Sequence, residues 1–299
     1  MVARLLNSCG LYLGPQDQLL DGYASNPEGH FEHLGFLKIN NTLLKNFGGS
    51  WDHLPRLKKG WQTSESLKGP RTQAISLVDS FLGTGRWGWK DPRTTVLLPF
   101  WKSVIENLRF VVCLRSPLDV ARSLEKRNGM TLRQGSYLWY RYMRSAIQDT
   151  QGSPRILTFY DDYFDGSIAE LYRLSAFCGL EMPKEQVAAG DLISNNLRHY
   201  KSDFSDLIVA KSIPTEHKIL YLGLRALSNP AKAVANPSCI DDHRISENID
   251  ELLQSIQKST DRGAMARLRP VLLENGYRVR TRVRKFWKRK ILKRLFRKE

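Results

Sequence analysis

The chain has 299 residues, 41% hydrophobic and 25% charged, enough to bury one sizeable core or one core with a helical extension. It contains no run of about 18 apolar residues, and MVARLLNSCGLYLGP at its start lacks a long apolar stretch and a small-residue cleavage site, so neither a membrane span nor a secretory leader is expected. Cys9, Cys113, Cys178 and Cys239 are scattered with no CxxC pair, which suggests neither a zinc site nor a disulfide framework and fits a reducing, cytoplasmic setting.

In chain order, residues 3–9 and 35–47 carry apolar positions at helical spacing. Between them DGYASNPEGHFE, rich in turn formers, reads as an exposed loop. A helix near 71–82 leads into GTGRWGWKDP, where Trp87 and Trp89 alternate with smaller neighbours in a strand-like stretch that Pro92 ends. Residues 94–105 read as helix again. RFVVCL, residues 109–114, is the clearest strand, β-branched and apolar as suits burial on both faces of a parallel sheet.

Directly after it, Ser116, Pro117 and Asp119 supply an N-cap, an N1 proline and an N3 acid in the order a helix start prefers. Further helices are expected at 132–149 and at 167–178, the latter with Ile168, Leu171, Leu174 and Phe177 on one face, and RILTFY at 155–160 is a second strand. Strands alternating with helices predict an α/β fold, a mainly parallel sheet flanked by helices. Beyond about 205 the β signal fades into helices joined by a Pro/Asn-rich stretch near 229–237. The expected division is an α/β domain over 1–204, a helical C-terminal extension over 205–277, and a basic tail over 278–299.

In open α/β sheets, ligands bind beyond the carboxyl ends of strands, where a helix N-terminus favours anions. Arg115 falls at that point, and Ser123 lies two helical turns beyond Ser116, on the same face. The same residues also describe a plain capped helix beside an exposed arginine. WGWKDPRTT clusters Lys90, Asp91 and Arg93 at a second strand end. A lysine there can donate to a phosphate or to an oxygen gaining charge; a Lys–Asp surface pair is the alternative reading.

These segments resemble the sulfotransferases that use 3′-phosphoadenosine 5′-phosphosulfate (PAPS), especially the bacterial carbohydrate-type ones. Lys90, Arg115 and Ser123 follow the family's order, at separations of 25 and 8 residues. The similarity extends to NPEGHFEHLGFLKINNTLL at 26–44, which looks like a substrate-side loop, to LTFYDDYF and a helix ending FCGL at 157–180, and to LRHY at 197–200. The resemblance implies a nucleotide-kinase-like sulfotransferase fold, PAPS as co-substrate with no metal, and transfer of a sulfuryl group to a hydroxyl, on a small-molecule or glycan acceptor. It gives Arg115 and Ser123 the nucleotide's 3′-phosphate and Lys90 the leaving phosphate. Glu32, with His30 second, is the candidate base for the acceptor proton. Where some relatives place a histidine two positions after the lysine, this chain has Pro92.

Relatives begin with an apolar strand and a phosphosulfate-binding loop, whereas MVARLLNSCG resembles the helix that follows them. The expectation is therefore a start upstream of Met1, or a truncated copy without activity, since each lost donor at developing charge removes about 10²–10³ in rate. Gly83, Gly85 and Gly88 spell GxGxxG, but a helix precedes and a strand-like segment follows, the reverse of the dinucleotide context. His30 and Glu32 make H-x-E with no PCxxC to complete a deaminase, and Asn40–Asn41–Thr42 is a glycosylation sequon that matters only in a secreted chain.

The formal charge is +16, of which residues 278–299 carry +11, with twelve Lys/Arg against Glu299 alone. There Val279, Val283, Phe286, Trp287, Ile291 and Leu295 recur at helical intervals, describing a basic amphipathic helix. An anionic membrane surface, approached peripherally, is the partner such a helix suits best; nucleic acid comes second, and docking on the chain's own domain is the plain alternative.

Overall fold

The computed structural model describes residues 1–20, 22, 29–165, 168–181, 200–228 and 251. The expectations for 23–28, for 197–199 of LRHY, for the Pro/Asn-rich stretch and for the basic tail lie outside these residues. The described residues fall into two compact units, one within 1–113 and 152–199 and the other within 114–151 and 200–299.

The first unit opens with α1 (Val2–Ser8), which buries Leu5 and Leu6. The chain then turns through Gly14, whose φ of +111° suits only glycine, and a Cβ there would collide with the His33 ring. Leu19 bridges antiparallel to His33, and the Leu20 amide donates to the Glu32 carbonyl (2.8 Å), fixing the loop's return. His33 caps α2 (Leu34–Asn46), its Nδ1 accepting from the Gly35 amide. Burial pushes its pKa down, favouring the neutral ring. Then come α3 (Lys68–Asp79) and α4 (Thr94–Lys102). α3 starts and ends three residues earlier than periodicity alone predicts, because Pro70 fits its first turn. α4 ends three residues short of the expected 105.

The sheet is α/β in kind but small: β1 (Phe110–Leu114) and β2 (Arg155–Phe159) pair parallel as two strands. β2 is buried over Ile156–Phe159, whereas in β1 only Val112 and Leu114 are buried and Cys113 is exposed. Burial on both faces, expected for β1, is thus half met, since among the described residues it has one strand neighbour. The strand expected at 87–89 reduces to a single parallel bridge between Trp87 and Tyr12, made by Tyr12 N to Arg86 O (2.9 Å) and Gly88 N to Tyr12 O (3.0 Å). Trp87 and Trp89 pack rather than pair. Trp89 lies flat on Phe36 (4.5 Å, 5°), and Trp87 leans on Phe81 at 4.9 Å. A 3₁₀ segment, Tyr160–Asp165, leads to α7, whose range is Ala169–Cys178 and which buries Leu171, Leu174 and Phe177 as its pattern predicts.

The second unit contains α5 (Pro117–Asn128), α6 (Leu132–Asp149), α8 (Phe204–Val209) and α9 (Thr215–Leu227). α6 has the predicted limits and a capping box, Thr131 with Gln134. It meets α5 closely where Gly135 faces Ala121; a Cβ at 135 would lie 3.0 Å from the Ala121 Cα. None of the helices among the described residues is long and apolar enough to cross a membrane.

Candidate functional site

In the first unit, the α2 N-terminus and the 89–94 turn meet over a cluster of four charges. Glu32, 6% exposed, ends the returning loop immediately before the His33 cap. Lys90 Nζ donates to its Oε1 at 2.6 Å, and Arg93 approaches its Oε2 at 3.4 Å. Arg93 also donates to Asp91 Oδ1 through its guanidinium (2.8 Å) and its backbone amide (2.9 Å). Burial pushes the Asp91 carboxyl above its ordinary range, against the pull of Arg93 and Asn40.

A polar network on the core side of α2 holds this cluster. Asn40 Nδ2 donates to Asp91 Oδ2 (2.8 Å) and Thr94 Oγ1 (2.9 Å), and its Oδ1 accepts from Trp101 Nε1 (2.8 Å). Trp89 Nε1 donates to the same Thr94 hydroxyl at 2.9 Å. Asn40 is fully buried, so the sequon beginning there has no exposed amide to modify. The signal for this network is in the sequence: an asparagine among Phe36, Ile39, Leu43 and Leu44 on α2's buried face, and two tryptophans whose N–H groups need acceptors.

The structure therefore joins Glu32 and Lys90, 58 residues apart, in one ion pair and adds Arg93 as a second cation. His30 is half-buried on the same loop, its backbone amide 3.4 Å from the Leu20 carbonyl. The GxGxxG glycines lie in a turn after α3, Gly83 and Gly85 at positive φ, away from any strand–helix junction.

Arg115 and Ser123 belong to the second unit. Arg115 sits between β1 and α5; its Nη2 donates to the Tyr200 carbonyl (3.2 Å), and its own carbonyl accepts from Trp139 Nε1 (3.1 Å). Ser116 occupies the N-cap of α5 without capping it, and its hydroxyl is buried with no hydrogen-bond partner among the described residues. Asp119, the expected N3 acid, is fully buried and turns to Ser202, accepting from its amide (3.2 Å) and its hydroxyl, to which Arg122 also donates (2.8 Å). The first amides of α5 consequently lack a side-chain cap, and Ser123 lies half-buried two turns along the helix. A helix start left in this state, beside an arginine, can receive an anion.

Among the described residues no group of three or more His, Cys, Asp or Glu gathers as a metal site requires. No protein-family model, curated protein or solved structure matches the chain.

Proposed function

We propose that this chain is a PAPS-dependent sulfotransferase, with a nucleotide-kinase-like fold, acting on a hydroxyl of a carbohydrate acceptor. The observation that carries the reading is the Glu32–Lys90 ion pair, which brings into direct contact the two residues assigned to base and leaving-group duty. The uncapped α5 start, with the buried Ser116 hydroxyl next to Arg115, fits the phosphate that the reading requires there.

PAPS supplies the activated sulfuryl group. Arg115 and Ser123 hold its 3′-phosphate. Lys90, with a side chain 42% exposed, leaves Glu32 to donate to the phosphate oxygen on which charge builds as the sulfur–oxygen bond breaks. The acceptor oxygen bonds to sulfur, Glu32 takes the proton, and the nucleotide bisphosphate departs. Arg93, bonded to Asp91, keeps Glu32 in place throughout.

A second reading is a non-catalytic protein of this fold that acts through its basic tail. Its supporting observation is the charge balance of the cluster: Glu32 and Asp91 offset Lys90 and Arg93, so the group is complete without a ligand. Calorimetric titration of 3′-phosphoadenosine 5′-phosphate into the full chain separates the two. The first reading expects binding that Arg115→Ala weakens at least about tenfold, the loss of one charge-assisted contact. No binding to the unaltered chain leaves the second.

A further inference from the structure

α2 presents two unlike faces. Phe36, Ile39, Asn40, Leu43 and Leu44 are buried, while the outward face forms a shallow groove of about 480 Å³ lined by Leu34, Leu37, Lys38, Asn41, Thr42 and Lys45. Leu34, Lys38, Asn41 and Lys45 are exposed. Lys38 and Lys45 lie seven residues, or about 10 Å, apart along the helix. Beyond α2, the Phe47 ring packs edge-on against Trp61 (5.4 Å), and the Trp61 amide donates to the Lys58 carbonyl (3.1 Å). This holds the RLKK loop at the C-terminal end of α2, with Arg56, Lys58 and Lys59 exposed on it.

No acidic partner reaches any of these five cations among the described residues. Asp52, the acid of that loop, bonds to the Ser50 hydroxyl at 2.6 Å, and the neighbouring Glu65 is paired with Lys68. One lysine in the last turn of α2 answers the helix dipole, but the two lysines of the groove and the three exposed cations of the loop beyond it exceed that need. We infer that this band is a docking track for an acidic polysaccharide, whose carboxylate or sulfate groups meet the lysines in turn and whose hydroxyls meet Asn41 and Thr42. The groove is lined by leucine, lysine, asparagine and threonine, not aromatic rings, so bases would find no stacking surface within it. α2 begins two residues after Glu32, so a chain lying along it is led towards the proposed base. Naming this polymer as the acceptor rests on the sulfotransferase reading; the surface itself does not.

The test is lysine acetylation footprinting of the full chain, read by mass spectrometry, with heparin, neutral dextran or random duplex DNA added at near-physiological salt. Heparin is expected to slow modification of Lys38 and Lys45 at least about fivefold, dextran to leave it unchanged, and Lys68 to respond to neither. Unaltered reactivity at Lys38 and Lys45 while the tail lysines are protected overturns the inference, and equal protection by DNA reassigns the band to nucleic acid. The double variant Lys38→Glu/Lys45→Glu should release heparin protection of Lys58 and Lys59 yet leave titration with 3′-phosphoadenosine 5′-phosphate unchanged. Heparin protection in a chain that binds no nucleotide keeps the surface and removes the acceptor assignment.

Discussion

Replacing Asn40 by leucine tests whether the buried network holds the charge cluster in place. Leucine has nearly the asparagine's volume, so the change removes hydrogen bonds without opening a large cavity. Three bonds disappear, to Asp91, Thr94 and Trp101. Thr94 keeps its bond from Trp89, but Asp91 Oδ2 and the fully buried Trp101 indole lose the partners described for them. Each buried group left without a partner is destabilising by about 1–3 kcal/mol, more when charged, so a loss of about 3–5 kcal/mol is expected. Urea unfolding followed by tryptophan fluorescence reads it, since Trp89 and Trp101 both flank the site. Asn40 also lowers the Asp91 pKa, so the variant's Asp91 should be protonated at higher pH than before. Its deficit should therefore shrink in acid, where the carboxyl is neutral, and grow as pH rises through the Asp91 pKa. A loss under about 1 kcal/mol, equal at all pH values, would refute the reasoning.

Lys90→Met and Arg93→Met should differ sharply in the same assay. The 42%-exposed Lys90 contributes about 1 kcal/mol or less, whereas removing the 18%-exposed Arg93 strands Asp91 and is destabilising by about 3 kcal/mol. In the second unit, His217 is buried with Nδ1 2.6 Å from Ser136 Oγ and its ring stacked on Tyr140; burial pushes its pKa down to about 4, opposed by Glu216 and aided by Arg133. A depressed histidine contributes stability above its unfolded pKa near 6.5 that is lost as pH falls towards about 4, about 3 kcal/mol in all; His217→Gln should flatten that slope in pH-dependent urea melts. Gly14→Ala, which combines a forbidden φ with a clash against His33, should lower stability by about 2 kcal/mol or more in thermal melts.

Local signals carried much of this structure. α6 has the limits its periodicity predicts, and α1, α2 and both strands lie within a residue or two of expectation. Non-local choices were hidden. The 87–89 stretch has the composition of a strand, but its tryptophans gain more from stacking on Phe36 and Phe81 than a ladder with Tyr12 alone offers. Asp119 sits where an N3 acid would fold back onto its own helix, yet Ser202, 83 residues away, claims it. Glu32, Lys90 and Arg93 were each visible as charges near turns; that two of them share Glu32 depends on α2 packing against the 89–94 turn, which no local pattern encodes.

The division of labour within the cluster follows from exposure. A carboxylate as buried as Glu32 needs a cation, and two are present, one well enclosed and one with its side chain nearly half in solvent. Arg93 is tied at two points to Asp91, itself tied to Asn40, so moving it breaks several bonds at once. Lys90 is bound to Glu32 alone among the contacts described, on a flexible stem, and its departure breaks one bond. Displacing Lys90 therefore disturbs fewer contacts than displacing Arg93. On the proposed reading, an anion arriving at Lys90 would take over a cation already desolvated in part, while Arg93 would remain beside Glu32.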